Sequence, residues 1–296
     1  MVGLGCYPGQ MPEPGPSRIA ILGDLHGSWT TFDALFFNAS GYDALLFVGD
    51  LAGGAAAHDR QIARSIARVG KPCLVLLGNN DVQALPVIEA EFDLQQGLSD
   101  LLSGSRASTT TLCGYSTHVL PGGAGSVTLI AARPYAMGGG ELSYADILAQ
   151  RHAIASMRES QERLCALVDA TESDDLIFLA HNGPHGLGDT PYDMWGNDFS
   201  ESGGDWGDTD LTEAVRYAQQ LGKRVHAVVA GHMHRRVRGG GTRPFRYLRH
   251  GIQYINPAQV PRVVPSGQGA LHHHVSLTWR DGEARFLEHW VNDGDV

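Results

Sequence analysis

Seven side chains of types that bind metal ions lie in five short motifs spread along the chain. The motifs are Gly23-Asp24-Leu25-His26-Gly27, Gly49-Asp50, Gly78-Asn79-Asn80-Asp81, Ala180-His181-Asn182-Gly183 and Gly231-His232-Met233-His234. Each motif combines a carboxylate, an amide or an imidazole with small residues, and each follows an apolar run. Strands that deliver ligands to one edge of a sheet, followed by sharply turning loops, produce this pattern. Each motif alone is also a common turn sequence, but the five together predict a metal centre.

The donor set favours two divalent ions. Two ions about 3.5–4 Å apart need ligands from several strands and a shared carboxylate, and Asp50 is the natural bridge because each of its oxygens can bind one ion. Asp24 and His26 are two residues apart, so they can chelate one ion from a strand end. The remaining ligands are an amide oxygen and three imidazoles, from Asn79, His181, His232 and His234. Such nitrogen and oxygen ligands without a thiolate suit Mn, which we expect first, and also Fe, Zn, Ni or Co.

Bulk composition indicates a globular protein. The 296 residues are 43% hydrophobic and 18% charged, enough for one large α/β domain or two small ones. The formal charge of −10 argues against a broad nucleic-acid surface, which needs a basic footprint, but not against a small phosphorylated substrate held by metal. No run approaches the length of a membrane-spanning helix, so no membrane association is expected.

The start of the chain and its cysteines suggest a cytoplasmic location. Residues 1–17 are rich in Pro and Gly, do not resemble a signal peptide and are predicted to form a flexible extension. Residues 18–296 contain no evident linker and are predicted to form one domain. The four cysteines show no CxxC pair, so we expect reduced thiols at Cys6, Cys73, Cys113 and Cys165. The oligomeric state is left open.

A strand–helix alternation positions the motifs. Apolar strands that each end at a motif are predicted at 18–22, 43–48, 72–77, 175–180 and 225–230. Helices are predicted at 28–38 with Ser28 as N-cap, at 55–69, at 143–170 as one long helix, and at 211–221. This rhythm favours parallel strands with helical crossovers. Elsewhere we predict two strands in 112–132, loops at 133–142 and 183–208, and three or four strands in 243–292.

The five motifs resemble those of the calcineurin-like metallophosphoesterase superfamily, which run D-x-H, G-D, G-N-H-D/E, H and G-H-x-H. The match covers residues 18–234, and the strand-rich tail resembles the family's second sheet. The resemblance implies a four-layer α/β/β/α sandwich of two mixed sheets. It also implies one ion held by Asp24, His26, Asp50 and His234 and another held by Asp50, Asn79, His181 and His232. A hydroxide bridging the ions would then attack the phosphorus of a phosphodiester or an activated phosphomonoester.

Three segments also resemble a cyanobacterial and plastid branch of that superfamily. They are Arg133-Pro134, Gly138-Gly139-Gly140-Glu141-Leu142 and the run from Tyr254 to Arg262, Tyr-Ile-Asn-Pro-Ala-Gln-Val-Pro-Arg. The motif Gly78-Asn79-Asn80-Asp81 belongs with this resemblance.

One position departs from the family pattern. The third motif usually has His after Asn, credited with stabilising the phosphate or protonating the leaving group, whereas this chain has Asn80. An amide donates a hydrogen bond but supplies no proton near neutral pH. General acid help is typically worth about 10²–10⁴-fold, so poor leaving groups should suffer most. Asn80 and, as a substitute donor, His185 are the candidate catalytic residues, although the sequence favours a loop histidine without a catalytic role at position 185.

A basic cluster follows the last motif, at Arg235, Arg236, Arg238, Arg243 and Arg246. We assign Arg235 and Arg236 to capture of substrate phosphate; the alternative is a solvated hairpin paired with surface acids. The aromatic residues of the 183–208 loop could stack on a nucleoside or aryl group or could anchor the loop, and they are Tyr192, Trp195, Phe199 and Trp206. His272, His273 and His274 are predicted to lie on a solvated strand face.

Two functions of different classes are compatible with these residues. One is a dinuclear-metal phosphohydrolase, a phosphodiesterase or phosphatase. The other is a non-catalytic scaffold that keeps the fold without turnover, as the retromer subunit of the superfamily does; Asn80 and the acidic surface fit that class, but no ligand is lost here. A Ser/Thr phosphatase of the G-D-x-x-D-R-G type is excluded, because Leu-Ala-Gly-Gly follows Asp50.

Overall fold

A computed structural model describes residues 17–101, 110–122, 125–201, 203–267 and 269–295. The strands are β1 (Ser17–Leu22), β2 (Ala44–Phe47), β3 (Cys73–Leu76), β4 (Thr110–Cys113), β5 (Ser116–Gly122), β6 (Gly125–Ala131), β7 (Asp175–Ala180), β8 (Arg224–Ala230), β9 (Arg246–Arg249), β10 (Ile252–Ile255), β11 (Val263–Ser266), β12 (Gly269–Arg280) and β13 (Glu283–Asn292). The helices are α1 (Thr31–Ala39), α2 (Ala56–Ala67), α3 (Leu85–Leu101), α4 (Ala145–His152), α5 (Met157–Asp169) and α6 (Thr209–Gln220).

The strands form two mixed sheets. In the first, β1, β2, β3 and β4 are parallel neighbours joined by helical crossovers, and β12 pairs antiparallel with β1. β12 also carries β11 beside β1 and β13 along its other edge. In the second sheet, β6, β7, β8 and β10 are parallel, with β5 and β9 antiparallel at the edges.

The two sheets pack face to face. Alternate residues of a strand are therefore buried in two different cores, one between the sheets and one beneath the helices. Ile19 and Ile21 of β1 lie in a central core with residues of the second sheet such as Ile177. Their neighbours Ala20 and Leu22 pack in the outer core, which includes the apolar sides of the helices. Strands buried on both faces read as continuous apolar runs, which is why β1, β2 and β3 were predictable. The predicted α/β/β/α sandwich is confirmed.

The structure corrects two helix predictions: one predicted helix is divided in two, and another begins later than expected. The predicted helix 143–170 is two helices, because Ala153 adopts the left-handed conformation with φ 56° and Ser156 then caps α5 by accepting from the Glu159 amide. The first helix begins after Thr30 rather than Ser28. Thr30 and Asp33 form a reciprocal capping box, which satisfies two amides that the helix itself cannot.

Other elements differ from the sequence predictions. α3 was not predicted, the region predicted to hold two strands contains β4, β5 and β6, and the tail contains five strands rather than three or four. The predicted solvated face for His272, His273 and His274 is wrong, since all three are at most 3% exposed. β12 is covered on both faces: the ring of Phe37 packs against His274 on one, and Val275 and Leu277 lie in the central core on the other. Glu288 of the neighbouring strand accepts from His273.

Of the predicted extension 1–17, only Ser17 lies within the described residues, where it begins β1; Cys6 lies outside them. The thiols of Cys73, Cys113 and Cys165 are free. In the part of the chain that is described, no helix combines the length and the apolar character needed to cross a bilayer.

Candidate metal centre

The predicted ligands converge at one edge of the two sheets. Asp24 and His26 follow β1, Asp50 follows β2 and Asn79 follows β3, all in the first sheet. In the second sheet, His181 follows β7 while His232 and His234 follow β8. All five strands are parallel within their sheets, so their carboxyl ends meet at one edge, where open α/β sheets bind ligands.

The loops that hold the ligands turn immediately after their strands. Asp24, His26, Asp50 and His232 all have left-handed backbone conformations, with φ between 43° and 64°. Such conformations are disfavoured for these residue types and persist where the surroundings fix them, often at functional sites. A Cβ on Gly78 would collide with the Asp50 carboxylate, and one on Gly231 would collide with the Asp24 carboxylate. Glycine is required at both positions so that the two carboxylates can approach the neighbouring backbone.

Asp50 lies between two groups of donor atoms. One group is Asp24, His26 and His234, and the other is Asp50, His181 and His232; within each group the donor atoms lie within 4.8 Å of one another. Oδ2 of Asp50 is 3.6 Å from His26 Nε2, and Oδ1 is 3.4 Å from His181 Nε2. Each oxygen of the carboxylate therefore faces a different group, as a bridging ligand requires.

Ligand atoms lie close to one another in two places at the centre. His181 Nδ1 lies 2.7 Å from the Val48 carbonyl oxygen, an acceptor, so Nδ1 donates to it and Nε2 is the ring nitrogen that faces the centre. That Nε2 lies 2.9 Å from the amide oxygen of Asn79. Nε2 of His26 and Nε2 of His234 are also 2.9 Å apart. A cation bound between the two atoms of each pair would satisfy both of them, so the donor set fits two metal ions.

The two carboxylates at the centre are fully buried. Asp24 is 0% exposed and Asp50 is 1% exposed, and across the described residues their ion-pairing neighbours are histidines, not lysine or arginine. Burial raises the pKa of Asp24 well above its usual value, and the charge of Asp50 raises it further. Two buried carboxylates without a strong cation are unfavourable, and bound divalent ions would remove that penalty.

The histidine ligands are held in the form that binds metal. Burial, and then the adjacent His181, lower the pKa of His232 to about 3. Burial, and then the adjacent His26, lower the pKa of His234 to about 4. Both rings are therefore neutral near pH 7, with a lone pair available for an ion.

Asn80, the predicted catalytic donor, contacts the carboxylate of Asp50. Its backbone amide donates to Asp50 Oδ1 at 2.9 Å, and its side-chain amide donates to Oδ2 at 2.7 Å. Asp81 accepts from the amides of Ala52 and Gly78, both at 2.8 Å, and so ties the loop after β2 to the loop after β3. These contacts fix the orientation of Asp50 and leave Asn80 at the exposed side of the centre.

Asn80 lines two cavities. The first, which we call the arginine cleft, has a volume of about 270 Å³ and extends from Asp50 and His232 to Met137, Asp198, Phe199, Trp206, Arg236 and Arg238. The second, the Tyr144 cleft, has a volume of about 280 Å³ and extends from His26 and Asn79 to Gln83 and Tyr144. Both cavities therefore adjoin the metal centre, and together they are called the groove.

Of the remaining predicted site residues, Arg236 lines a cavity beside the centre, and Arg235 and His185 do not. Arg236 lines the arginine cleft, whereas Arg235 pairs with Glu288 and packs against the Phe245 ring. His185 is exposed, and its backbone bonds to Asp208 and Thr212. Its catalytic role stays a prediction.

A buried ion network anchors the loops around the centre. Arg133 donates to Asp208 at 2.6 Å and to Asp210 at 2.9 Å, and all three side chains are at most 3% exposed. Asn182, next to His181, donates to the Trp206 carbonyl at 2.9 Å. The 133–142 and 183–208 loops are therefore held against the strand that carries His181.

Of the four loop aromatics, Trp195 is an anchor: it is 1% exposed and its indole donates to the Gly231 carbonyl. Phe199 and Trp206 line the arginine cleft, and Tyr192 is 58% exposed. Sequence reasoning missed Gln83, Met137, Tyr144 and Asp198 as lining residues. The only available signal was their position in or beside loops that follow ligand-bearing strands.

Comparisons with known proteins show the family of this chain. The family model described as calcineurin-like phosphoesterase matches residues 17–236, and the chain belongs to that family. A solved structure, TT1561 of Thermus thermophilus, is 13% identical with a TM-score of 0.51, covering 88% of this chain and 93% of that one. The phosphopantetheinyl hydrolase of Mycobacterium tuberculosis is 16% identical with a TM-score of 0.45, covering 82% and 89%. No curated protein matches the chain. Membership of this family and the clustered ligands indicate a metal-dependent phosphoesterase.

Proposed function

We propose that this protein hydrolyses phosphodiesters, and phosphomonoesters with good leaving groups, at a centre of two divalent metal ions. The observation that carries the proposal is the position of Asp50, whose two oxygens face two separate groups of ligands. When bound, the ions would supply a water of lowered pKa and neutralise charge on the phosphoryl oxygens. The chain's part is to hold the donor atoms and to orient the substrate in the groove.

The shape of the groove supports a diester. A phosphodiester carries an organic group on each side of its phosphorus, whereas a monoester carries one. With the phosphorus at the metal centre, one group would lie in the arginine cleft and the other in the Tyr144 cleft. A monoester would fill only one of these cavities.

The residue at position 80 restricts the leaving group. The Asn80 amide is hydrogen-bonded to Asp50 and has no titrating proton to give. A leaving oxygen that departs as a stable anion needs no such proton. Aryl diesters and phosphoanhydrides therefore fit the site, and simple alkyl esters fit it poorly.

Several finer points belong to the same proposal. Manganese is the preferred ion, with Fe, Zn, Ni or Co able to occupy the same ligands. Residues 18–296 act as one domain, the substrate is a small phosphorylated molecule, and the location is the cytoplasm. Activity measured with each metal in turn, on monoesters, diesters and nucleotides, tests the metal and the substrate range together.

The central test is Asp50→Asn. An amide offers one neutral oxygen where two ions need two anionic ones, so the metal content should fall below two ions per chain. Turnover of bis(4-nitrophenyl) phosphate with Mn²⁺ should fall by more than about 100-fold. Metal analysis of the purified protein and a colorimetric rate measurement provide the two readouts.

Asp93→Asn is the matched control, because Asp93 is an exposed carboxylate of α3 away from the centre. It should leave both the metal content and the rate unchanged. Full activity in Asp50→Asn would contradict the proposal. Two bound ions in the wild type without turnover of any phosphoester would instead support the scaffold function.

A further inference from the structure

The arginine cleft combines aromatic surface with positive charge next to the metal centre. Phe199 and Trp206 form an edge-to-face pair with ring centroids 4.8 Å apart. Trp206 is fixed, because its indole donates to the Met137 carbonyl at 2.6 Å. Phe199 is 43% exposed and Met137 is 41% exposed, so apolar surface faces the open groove beside charged ligands. Flat apolar surface in such a place suits a planar ring of the substrate.

Two arginines of the same cleft have no carboxylate partner within the described ranges. Arg236 and Arg238 are exposed, and neither forms an ion pair among those residues. The guanidinium of Arg238 lies 5.8 Å from the Phe199 ring centroid. In contrast, Arg235 pairs with Glu288 and Arg243 pairs with Asp198. The basic cluster is therefore divided into structural arginines and arginines that face the groove.

Apart from Asp50 of the metal centre, the carboxylate that lines the arginine cleft is Asp198, and it is already engaged. Asp198 accepts from the Arg238 backbone amide at 2.8 Å and lies 3.2 Å from the Arg243 guanidinium. Arg243 is 1% exposed and also donates to the Gly196 carbonyl, so this pair is part of the wall. The charge left over in the cleft belongs to Arg236 and Arg238. In a chain with a formal charge of −10, this local positive surface is selective for anions.

We propose that the arginine cleft binds the nucleoside phosphate part of a nucleoside diphosphate compound. The base lies against Phe199 and the phosphate next to the nucleoside is bound by Arg236 and Arg238. The second phosphorus of the diphosphate lies at the metal centre and is the one hydrolysed. This inference rests on the proposed phosphodiesterase function and names its substrate class.

The chemistry of such a substrate agrees with Asn80. Water adds to the phosphorus at the metal centre, and the bond from that phosphorus to the bridging oxygen breaks. The electron pair stays on the bridging oxygen, and the two protons of the water pass to solvent. The leaving group is a nucleoside monophosphate, whose second pKa is about 6, so it departs without a proton from the protein. The other product is the second phosphate with its own substituent, which occupies the Tyr144 cleft.

Binding of the leaving group tests the cleft without turnover. Calorimetry on chelator-treated protein compares AMP with ribose 5-phosphate, which has the same phosphate but no base. Phe199→Ala should weaken AMP by about 10-fold and leave ribose 5-phosphate unchanged, because stacking on one aromatic ring has about that value. Arg236→Gln with Arg238→Gln should weaken both ligands by at least about 10-fold, because two charged hydrogen-bond donors are lost.

Two variants control for nonspecific effects. Tyr192→Ala removes an exposed aromatic side chain from the same loop outside the cleft, and Arg246→Gln removes an exposed arginine of β9. Both should bind AMP like the wild type. Equal AMP affinity in the wild type and in the Arg236/Arg238 double variant, with unchanged circular dichroism, would overturn the inference.

Kinetics separate this inference from the proposed function. With Mn²⁺, the double variant should lose about 100-fold in kcat/KM for ADP-ribose and less than about threefold for methyl 4-nitrophenyl phosphate, which has no second phosphate. Hydrolysis of the small diester with no hydrolysis of ADP-ribose and no preference for AMP overturns the substrate class alone. Selective AMP binding without hydrolysis of any diester overturns the proposed function and leaves the binding site standing.

Discussion

At the residue scale, the side chain of Asp50 organises the centre. It lies between two ligand groups, and it accepts two hydrogen bonds from Asn80. In this chain, the residue at the position where the family motif usually has histidine therefore supports the carboxylate that we propose to bridge the ions. The consequence of this arrangement is the absence of a proton donor at position 80 beside the leaving group.

Asn80→His should restore part of that function. We expect kcat/KM for phenyl and alkyl phosphodiesters to rise by about 10-fold or more, because general acid help is typically worth about 10²–10⁴-fold. The rate for 4-nitrophenyl diesters should change little, since 4-nitrophenolate leaves without a proton. A series of diesters with leaving groups of increasing pKa measures this dependence.

Asn80→Ala separates proton donation from the loss of the amide. It removes the bond to Asp50 without adding an acid, so it should lower the rates of all substrates to a similar extent. If Asn80→His and Asn80→Ala give the same leaving-group dependence, position 80 does not act on the leaving group.

At the element scale, the connections between strands and helices decide where the ligands point. The strand ends are followed by left-handed residues in the ligand loops and by buried anchors such as Arg133 and Trp195. The same left-handed conformation at Ala153 ends α4 and separates it from α5. At Ala153 the left-handed conformation ends a helix and positions no predicted ligand.

Ala153→Gly should stabilise the protein. Ala153 ends α4 with φ 56°, where glycine has no Cβ penalty and alanine is disfavoured by about 1 kcal/mol. We expect the free energy of unfolding to rise by about 1 kcal/mol, measured by urea denaturation at pH 7.

Ala149→Gly provides the opposite sign in the same helix. Ala149 is exposed and lies inside α4, where glycine costs about 1 kcal/mol relative to alanine. If both substitutions destabilise the protein to the same extent, Ala153 does not have the left-handed conformation that the prediction requires.

At the scale of the whole molecule, the centre exists only where the two sheets meet. Asp24, His26, Asp50 and Asn79 come from the first sheet, and the other three ligands come from the second. The antiparallel strand β12 extends the first sheet and carries three buried histidines against the helices and β13. The stability of this packing therefore depends on pH.

His274 should make the fold sensitive to acid. Burial, and then the stacked His289 ring, lower the pKa of His274 to about 3, against about 6.5 in an unfolded chain. The unfolded chain gains a proton near pH 6.5 that the folded chain refuses until about pH 3. This stabilisation is complete above pH 6.5 and declines as the pH falls toward 3. Between pH 7 and pH 5, the wild type should lose about 2 kcal/mol more stability than His274→Gln.

Urea unfolding at several pH values gives the comparison. The slope matters here, since His274→Gln also changes the contact with the Tyr42 hydroxyl, which lies 2.8 Å from Nε2. His250→Asn, in an exposed turn, should keep the wild-type slope. Identical slopes in wild type and His274→Gln would show that His274 is not held neutral by the fold.

The sequence was sufficient for the parts that depend on local pattern. Apolar runs that end in glycine and a polar donor predicted the ligand-bearing strands. Strands buried on both faces are apolar along their whole length, so they can be recognised from sequence. It was insufficient where burial comes from distant elements. An alternating pattern in β12 reads as half-exposed, yet α1 packs on one face and the other face joins the central core through Val275 and Leu277. His272, His273 and His274 are therefore all buried.

The sequence by itself determined which side chains can bind metal and that they follow parallel strands, since both are properties of residue type and short spacing. The division of these side chains into two groups with Asp50 facing both was implied by the family resemblance, and the tertiary structure shows the donor atoms grouped in that way. Only the tertiary structure separated the groove-facing Arg236 and Arg238 from Arg235 and Arg243, which are engaged in ion pairs. The reason is that an arginine's partner can be any carboxylate in the chain, and which one lies within reach is fixed only when the sheets pack together.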